Sequence, residues 1–229
     1  MLVSSLAAAQ TPPDPVAEAR DTASRAAEKM RLGEALLRLD DVRGACDAFS
    51  DAVVLLPTWW MPRLAAARCG RVTGMPLGKI LENAEVAVRS RPQIPATHLA
   101  WALALEEAGR DSEAIAAYEA TLRVHADLLE ARFRLGVLLA RANDSRAARR
   151  HLEEVLGVRP DYIVARVHLT RVYEGLGLLD EAEDGMRDMV AKSRYPAQAM
   201  ANLVRFYERH GMSAKAREAK ARYETLYKR

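Results

Sequence analysis

Leu129–Tyr162 reads LEARFRLGVLLARANDSRAARRHLEEVLGVRPDY, two apolar-periodic stretches parted by Ala142-Asn143-Asp144 and closed by Pro160. Leu135 and Leu139 lie one turn apart on a helix face, and Ala148 and Leu152 repeat that spacing in the second stretch. Gly136 and Ala148 are small enough to let two helices approach closely. The stretch therefore predicts a helical hairpin that cannot bury its apolar side alone.

The same pattern recurs at a period of 34 in both directions along the 229 residues. Six units follow: 26–59, 60–94 with one extra residue, 95–128, 129–162, 163–196 and 197–229. The seventh position holds Leu32, Ala67, Trp101, Leu135, Leu169 and Leu203, all expected in the core. Small residues recur at the eighth (Gly33, Ala102, Gly136) and twentieth (Ala45, Ala114, Ala148, Ala182, Ala216), and bulk at the twenty-fourth (Phe49, Tyr118, Leu152, Met186). Asp40, Gly109, Asn143, Gly177 and Gly211 stand where a left-handed residue would end the first helix. Asp41, Ser112, Ser145, Asp180 and Ser213 are expected to cap the second, and Pro57, Pro92 and Pro160 to close their units.

These residues resemble the tetratricopeptide repeat family, most closely Leu32-Gly33, Ala45, Phe49, Ala52 and Pro57, and Leu135-Gly136, Ala148, Leu152 and Pro160. The resemblance covers 26–229 and implies an all-α, right-handed α-solenoid of stacked helix-turn-helix repeats. The second unit departs from the pattern, with Arg71 and Ala84 at large apolar positions. The last ends in a polar helix that suits a terminal cap.

Upstream, Asp14-Pro15 marks a helix start, so 14–25 is expected to extend or cap the first helix. Residues 1–13 carry no charge, and their short apolar run followed by small residues reads as a signal-peptide remnant or a tail. Export to a periplasmic compartment is favoured over a cytoplasmic location. The run is too short to span a bilayer.

Composition agrees with a folded, mostly helical chain: 50% hydrophobic, 28% charged and 6% aromatic residues, with a net charge of +3. That charge falls short of a nucleic-acid-binding field. Cys46 and Cys69 make no disulfide framework and no structural zinc site, and no bridge between them is expected. The five histidines lack metal-binding spacing, and no phosphate-binding loop, dinucleotide fingerprint or nucleophile elbow occurs. No catalytic residue, metal or cofactor is expected, and carboxylate pairs such as Glu106-Glu107 and Glu153-Glu154 read as solvated charges.

In the family the resemblance invokes, the first helix of each unit lines a concave groove. Carried over, positions five and nine place Met30 and Glu34, Ala65 and Cys69, Leu99 and Leu103, Phe133 and Val137, Val167 and Arg171, and Ala201 and Arg205 on that face, with Asn202 beside them. Glu174 and Glu208 lie nearby. The groove is expected to run from apolar to polar and basic and to take a protein segment with an apolar and an acidic end. The family's carboxylate clamp for chaperone tails is not expected, because its Lys and Asn are replaced by Met30 and Glu34 or their equivalents. Charge varies by unit, with six basic against two acidic residues in 60–94, two against six in 95–128, and eight against three in 197–229. Head-to-tail self-association, or docking of the basic end on an acidic partner or lipid surface, is the sharper reading of that asymmetry, solubility the plainer one. The expectation is a bacterial, non-catalytic scaffold for a larger, envelope-type complex. Its rival is a nucleic-acid-binding repeat protein using Arg132, Arg134, Arg141, Arg146, Arg149, Arg150 and the basic last unit.

Overall fold

The computed structural model describes residues 14–227, so the reading of 1–13 lies outside the described residues. Twelve helices and no strand occur among them: α1 (Pro15–Arg38), α2 (Val42–Leu55), α3 (Trp60–Thr73), α4 (Leu77–Ser90), α5 (Pro95–Glu107) and α6 (Asp111–Val124), then α7 (Leu129–Arg141), α8 (Ser145–Val158), α9 (Ile163–Gly175), α10 (Leu179–Lys192), α11 (Pro196–Arg209) and α12 (Ser213–Tyr227). The chain forms two compact units, Met1–Ala108 and Gly109–Arg229. In the first, each helix from α1 to α5 packs on the next, and α3 also touches α5. In the second the same rule runs from α6 to α12, with α7 touching α9.

Local chemistry explains the boundaries. Asp40 and Asn143 adopt φ of 62° and 63°, and Gly109, Gly177 and Gly211 lie between 69° and 74°, so the position expected to end each first helix does so left-handed. Asp14 caps α1 through Val16 N, and Asp41 caps α2 through Gly44 N. The other caps need correction. Asp144, rather than Ser145, accepts from Ala147 N, while Ser112 and Asp180 sit inside the first turns of α6 and α10, whose N-cap residues Arg110 and Leu178 make no side-chain cap.

Close approach is enforced where the small residues stand. A β-carbon on Gly33 would meet Phe49 Cε1 at 2.4 Å, and one on Gly136 would meet Leu152 Cγ at 2.9 Å. Leu135, Leu169 and Leu203 are buried at 1%, 5% and 5% exposure, but Leu32 is 47% exposed. The core role expected of Leu32 fails because, among the described residues, no helix covers its side of α1.

The second repeat inverts its packing. Ile80 fills the place held elsewhere by alanine, Ala84 the place held by Phe49 or Leu152, and the two are 1% and 0% exposed. Gly70 takes over the close contact, its would-be β-carbon 3.3 Å from Ile80 Cγ1, and Arg68 turns outward. Trp60 packs on the cluster of Leu64, Ala67, Ile80, Ala84, Ala100 and Ala104, with the Arg91 guanidinium 6.0 Å from its ring.

Cys46 and Cys69 form a disulfide, against expectation, their Cα atoms 5.6 Å apart. The repeat spacing puts residue 46 on the side of α2 that meets α3, and residue 69 faces back toward it. The bond joins consecutive repeats inside a cluster of Ala45, Phe49 and Ala66, against which Met30, Leu36 and Ala65 pack.

Candidate partner-binding face

The first helices of the repeats are α1, α3 and α5 in one unit and α7, α9 and α11 in the other. Residues four apart on each share a face. In the first unit Met30, Ala65 and Leu99 are half-buried and Glu34 is exposed. Leu103 is 8% exposed, and Cys69 is 6% exposed and bonded to Cys46, so these two serve packing rather than a free surface. In the second unit Phe133, Val137, Val167 and Ala201 are half-buried, while Arg171, Asn202 and Arg205 are exposed.

Phe133 is held by its neighbours. Its ring lies 5.0 Å from that of Tyr162 and 5.8 Å from that of His168, and Arg159 lies 5.1 Å from the Tyr162 ring. Burial, and secondarily the Arg171 charge, hold the His168 pKa below its ordinary value, so the ring stacks uncharged at neutral pH. Glu174 is taken up by Arg209 at 2.8 Å, with His210 at 3.9 Å. Asn202 accepts a hydrogen bond from Gln198 at 3.2 Å. Neither Arg171 nor Arg205 forms an ion pair among the described residues. The face therefore joins an apolar patch to two cations whose nearest carboxylate on α9 is already committed.

Sequence reasoning missed a device at the fourth helical position of the repeats. Arg63, Arg132 and Arg166 each donate to the carbonyl six residues back, of Pro57, Ala126 and Pro160, at 2.5–2.6 Å. His98 Nε2 lies 2.6 Å from the Pro92 carbonyl, which can only accept. The three arginines, unlike His98, also reach the second helix of their hairpin. Arg132 pairs with Glu154, Arg166 with Asp188 at 2.8 Å, and Lys29, at the equivalent place, with Asp51 at 2.7 Å. In the inverted second repeat Arg63 turns to Glu82 and Asn83 instead. The periodic base was visible in the sequence, but its partner twenty-two residues on becomes meaningful only when the hairpin closes.

Also missed was Glu183, 3% exposed. Tyr207 Oη donates to it at 3.0 Å, Lys215 Nζ at 2.6 Å, and Arg187 lies 2.7 Å away. Burial opposes its charge, but the bonds from Lys215 and Tyr207 prevail and hold its pKa below the ordinary value. This network joins α10, α11 and α12. Two clefts lie on the second helices. One of about 420 Å³ borders Cys46, Arg43, Lys79 and Asn83, and one of about 810 Å³ borders Leu156, Tyr173 and Gly185. No cluster of three or more metal-ligating side chains occurs among the described residues, and no described helix is long and apolar enough to cross a membrane.

The Tetratricopeptide repeat family profile matches residues 130–162. No curated protein matches the sequence. Among solved structures, YrrB, described as a TPR protein with an unusual peptide-binding site, is 18% identical with a TM-score of 0.68, over 80% of this chain and 93% of its own. PilW, described as a widely conserved type IV pilus biogenesis factor, is 18% identical with a TM-score of 0.68, over 88% and 93%. MamA from Desulfovibrio magneticus RS-1 is 18% identical with a TM-score of 0.65, over 74% and 95%. The matched repeat and these neighbours together show that the chain has the all-α helical-repeat fold of tetratricopeptide repeat proteins, with a tetratricopeptide repeat at 130–162.

Proposed function

We propose that this chain is a non-catalytic scaffold that holds a protein segment on the faces of its first helices and so supports assembly of a larger complex. The observation that carries this reading is the second unit's face, where half-buried Phe133, Val137 and Val167 adjoin the free cations Arg171 and Arg205. A segment with apolar side chains followed by carboxylates complements that order, the apolar part driven by burial and the charges setting direction. The peptide-binding site ascribed to YrrB and the pilus-biogenesis role ascribed to PilW support, by analogy of fold, a peptide ligand and a cell-envelope complex. The Cys46–Cys69 bridge supports a periplasmic location, since disulfides persist in oxidising compartments.

The nucleic-acid reading loses ground. Of the arginines in the fourth repeat, Arg132, Arg134, Arg141 and Arg149 are engaged with Glu154, Glu130, Asp111 and Glu153, so little of that charge is left for phosphates.

The test is site-specific photocrosslinking in the native cell. A photoreactive residue at Val137 or Val167 is expected to trap one and the same partner, and one at exposed Val158 on α8 is expected to trap none. Equal trapping at all three positions, or trapping at Val158 alone, overturns the reading. Arg171→Glu with Arg205→Glu should weaken the trapped complex at least tenfold.

A further inference from the structure

We infer that the Cys46–Cys69 bridge is a thiol–disulfide exchange site, and that its redox state sets whether the first unit's face can hold a partner. The bridge joins the first repeat to the second, the repeat whose hairpin packing is inverted. In that hairpin Ala84 replaces the bulky residue of the others, exposed Arg68 stands at the position held elsewhere by a small residue, and a polar group of Arg63, Asn83 and Glu82 occupies the side of α4. A covalent link between α2 and α3 adds to the apolar contacts of that junction by restricting its open state.

The link is also coupled to the face itself. Met30 and Ala65 pack directly on the cluster that contains both cysteines, and Cys69 occupies the ninth repeat position, the one held by Glu34 and Val137 in other repeats. Loosening the junction therefore displaces two of the three half-buried side chains, Met30, Ala65 and Leu99, that the first unit offers.

Access is asymmetric. Cys46, but not Cys69, borders the cleft of about 420 Å³, whose rim carries Arg43, Asp47, Lys79 and Glu82. Both sulfurs belong to residues that are nearly covered, at 3% and 6% exposure, so exchange waits on opening of that cleft. The co-substrate is a protein dithiol. One thiolate of it attacks Cys46 Sγ, the disulfide breaks, and Cys69 leaves as a thiolate that takes up a proton. The second thiolate of the dithiol then attacks its own sulfur in the mixed disulfide. Cys46 leaves and is protonated, and the reductant departs as a disulfide, having given up two electrons.

Only the last of three readouts rests on the partner-binding proposal. Acid-quenched protein from native cells is labelled with a maleimide before and after dithiothreitol, with no free thiol expected before and two after. Two free thiols before reduction overturn the inference. Hydrogen exchange on the intact chain should then show protection in α2 and α3 falling at least about tenfold on reduction, with α8 to α12 unchanged; unchanged protection in α2 and α3 overturns it. Finally, photocrosslinking at Leu99 should be lost on reduction while that at Val167 persists, and crosslinking at Leu99 that survives reduction overturns it. Should neither position crosslink in either state, the partner-binding proposal alone falls, and the exchange measurement still decides the role of the bridge.

Discussion

Two glycines illustrate two different reasons for the same residue. At Gly33 an added β-carbon meets the Phe49 ring at 2.4 Å, whereas at Gly211 it meets nothing within 4 Å but must sit at φ 69°. Gly33→Ala is expected to cost about 1–3 kcal/mol through overpacking, and Gly211→Ala about 1–2 kcal/mol through the left-handed backbone. Urea unfolding separates the mechanisms. Phe49→Leu should recover part of the first loss and none of the second. Both roles were legible in the residue type and register. The exposure of Leu32 was not, because a core position is defined by the neighbour that covers it.

At the scale of elements, the hairpins are held by more than their apolar faces. Arg166 ties the turn carbonyl of Pro160 to α9 and reaches Asp188 on α10, with a side chain 16% exposed. Arg166→Met is expected to destabilise by about 1.5–3 kcal/mol through lost charge-assisted bonds. Arg146→Met, at an exposed arginine of α8 with no ion pair among the described residues, should stay within about 0.5 kcal/mol. Thermal unfolding of the two variants makes the comparison. The Glu183 network adds a pH signature. With its pKa held below the ordinary 4.5, it stabilises the fold above that value and loses the contribution as pH falls through the folded one. Tyr173, pushed up to about 12 by burial and the bond to Glu153, works in the opposite direction. Its contribution is whole below pH 10 and lost as pH climbs toward 12. Unfolding midpoints followed from pH 6 downward should show the acid slope flattened in Glu183→Gln. A slope as steep as in the parent would remove Glu183 from that role.

For the molecule as a whole, the sequence alone determined the number and kind of elements. The 34-residue period, the small and bulky positions and the left-handed residues ending the first helices are local or nearest-neighbour properties, and a repeat fold is built from such terms. Of the residues that side-chain type marked as candidates for the face, Leu103 and Cys69 are buried. Only tertiary structure decided the rest. Which carboxylate Arg132 or Arg166 meets, which partner Glu183 gains from α11 and α12, how Ile80 and Ala84 exchange roles and whether Cys46 reaches Cys69 all depend on distances between separate helices. Those distances are set by the summed fit of many side chains, and no spacing along the chain encodes them residue by residue.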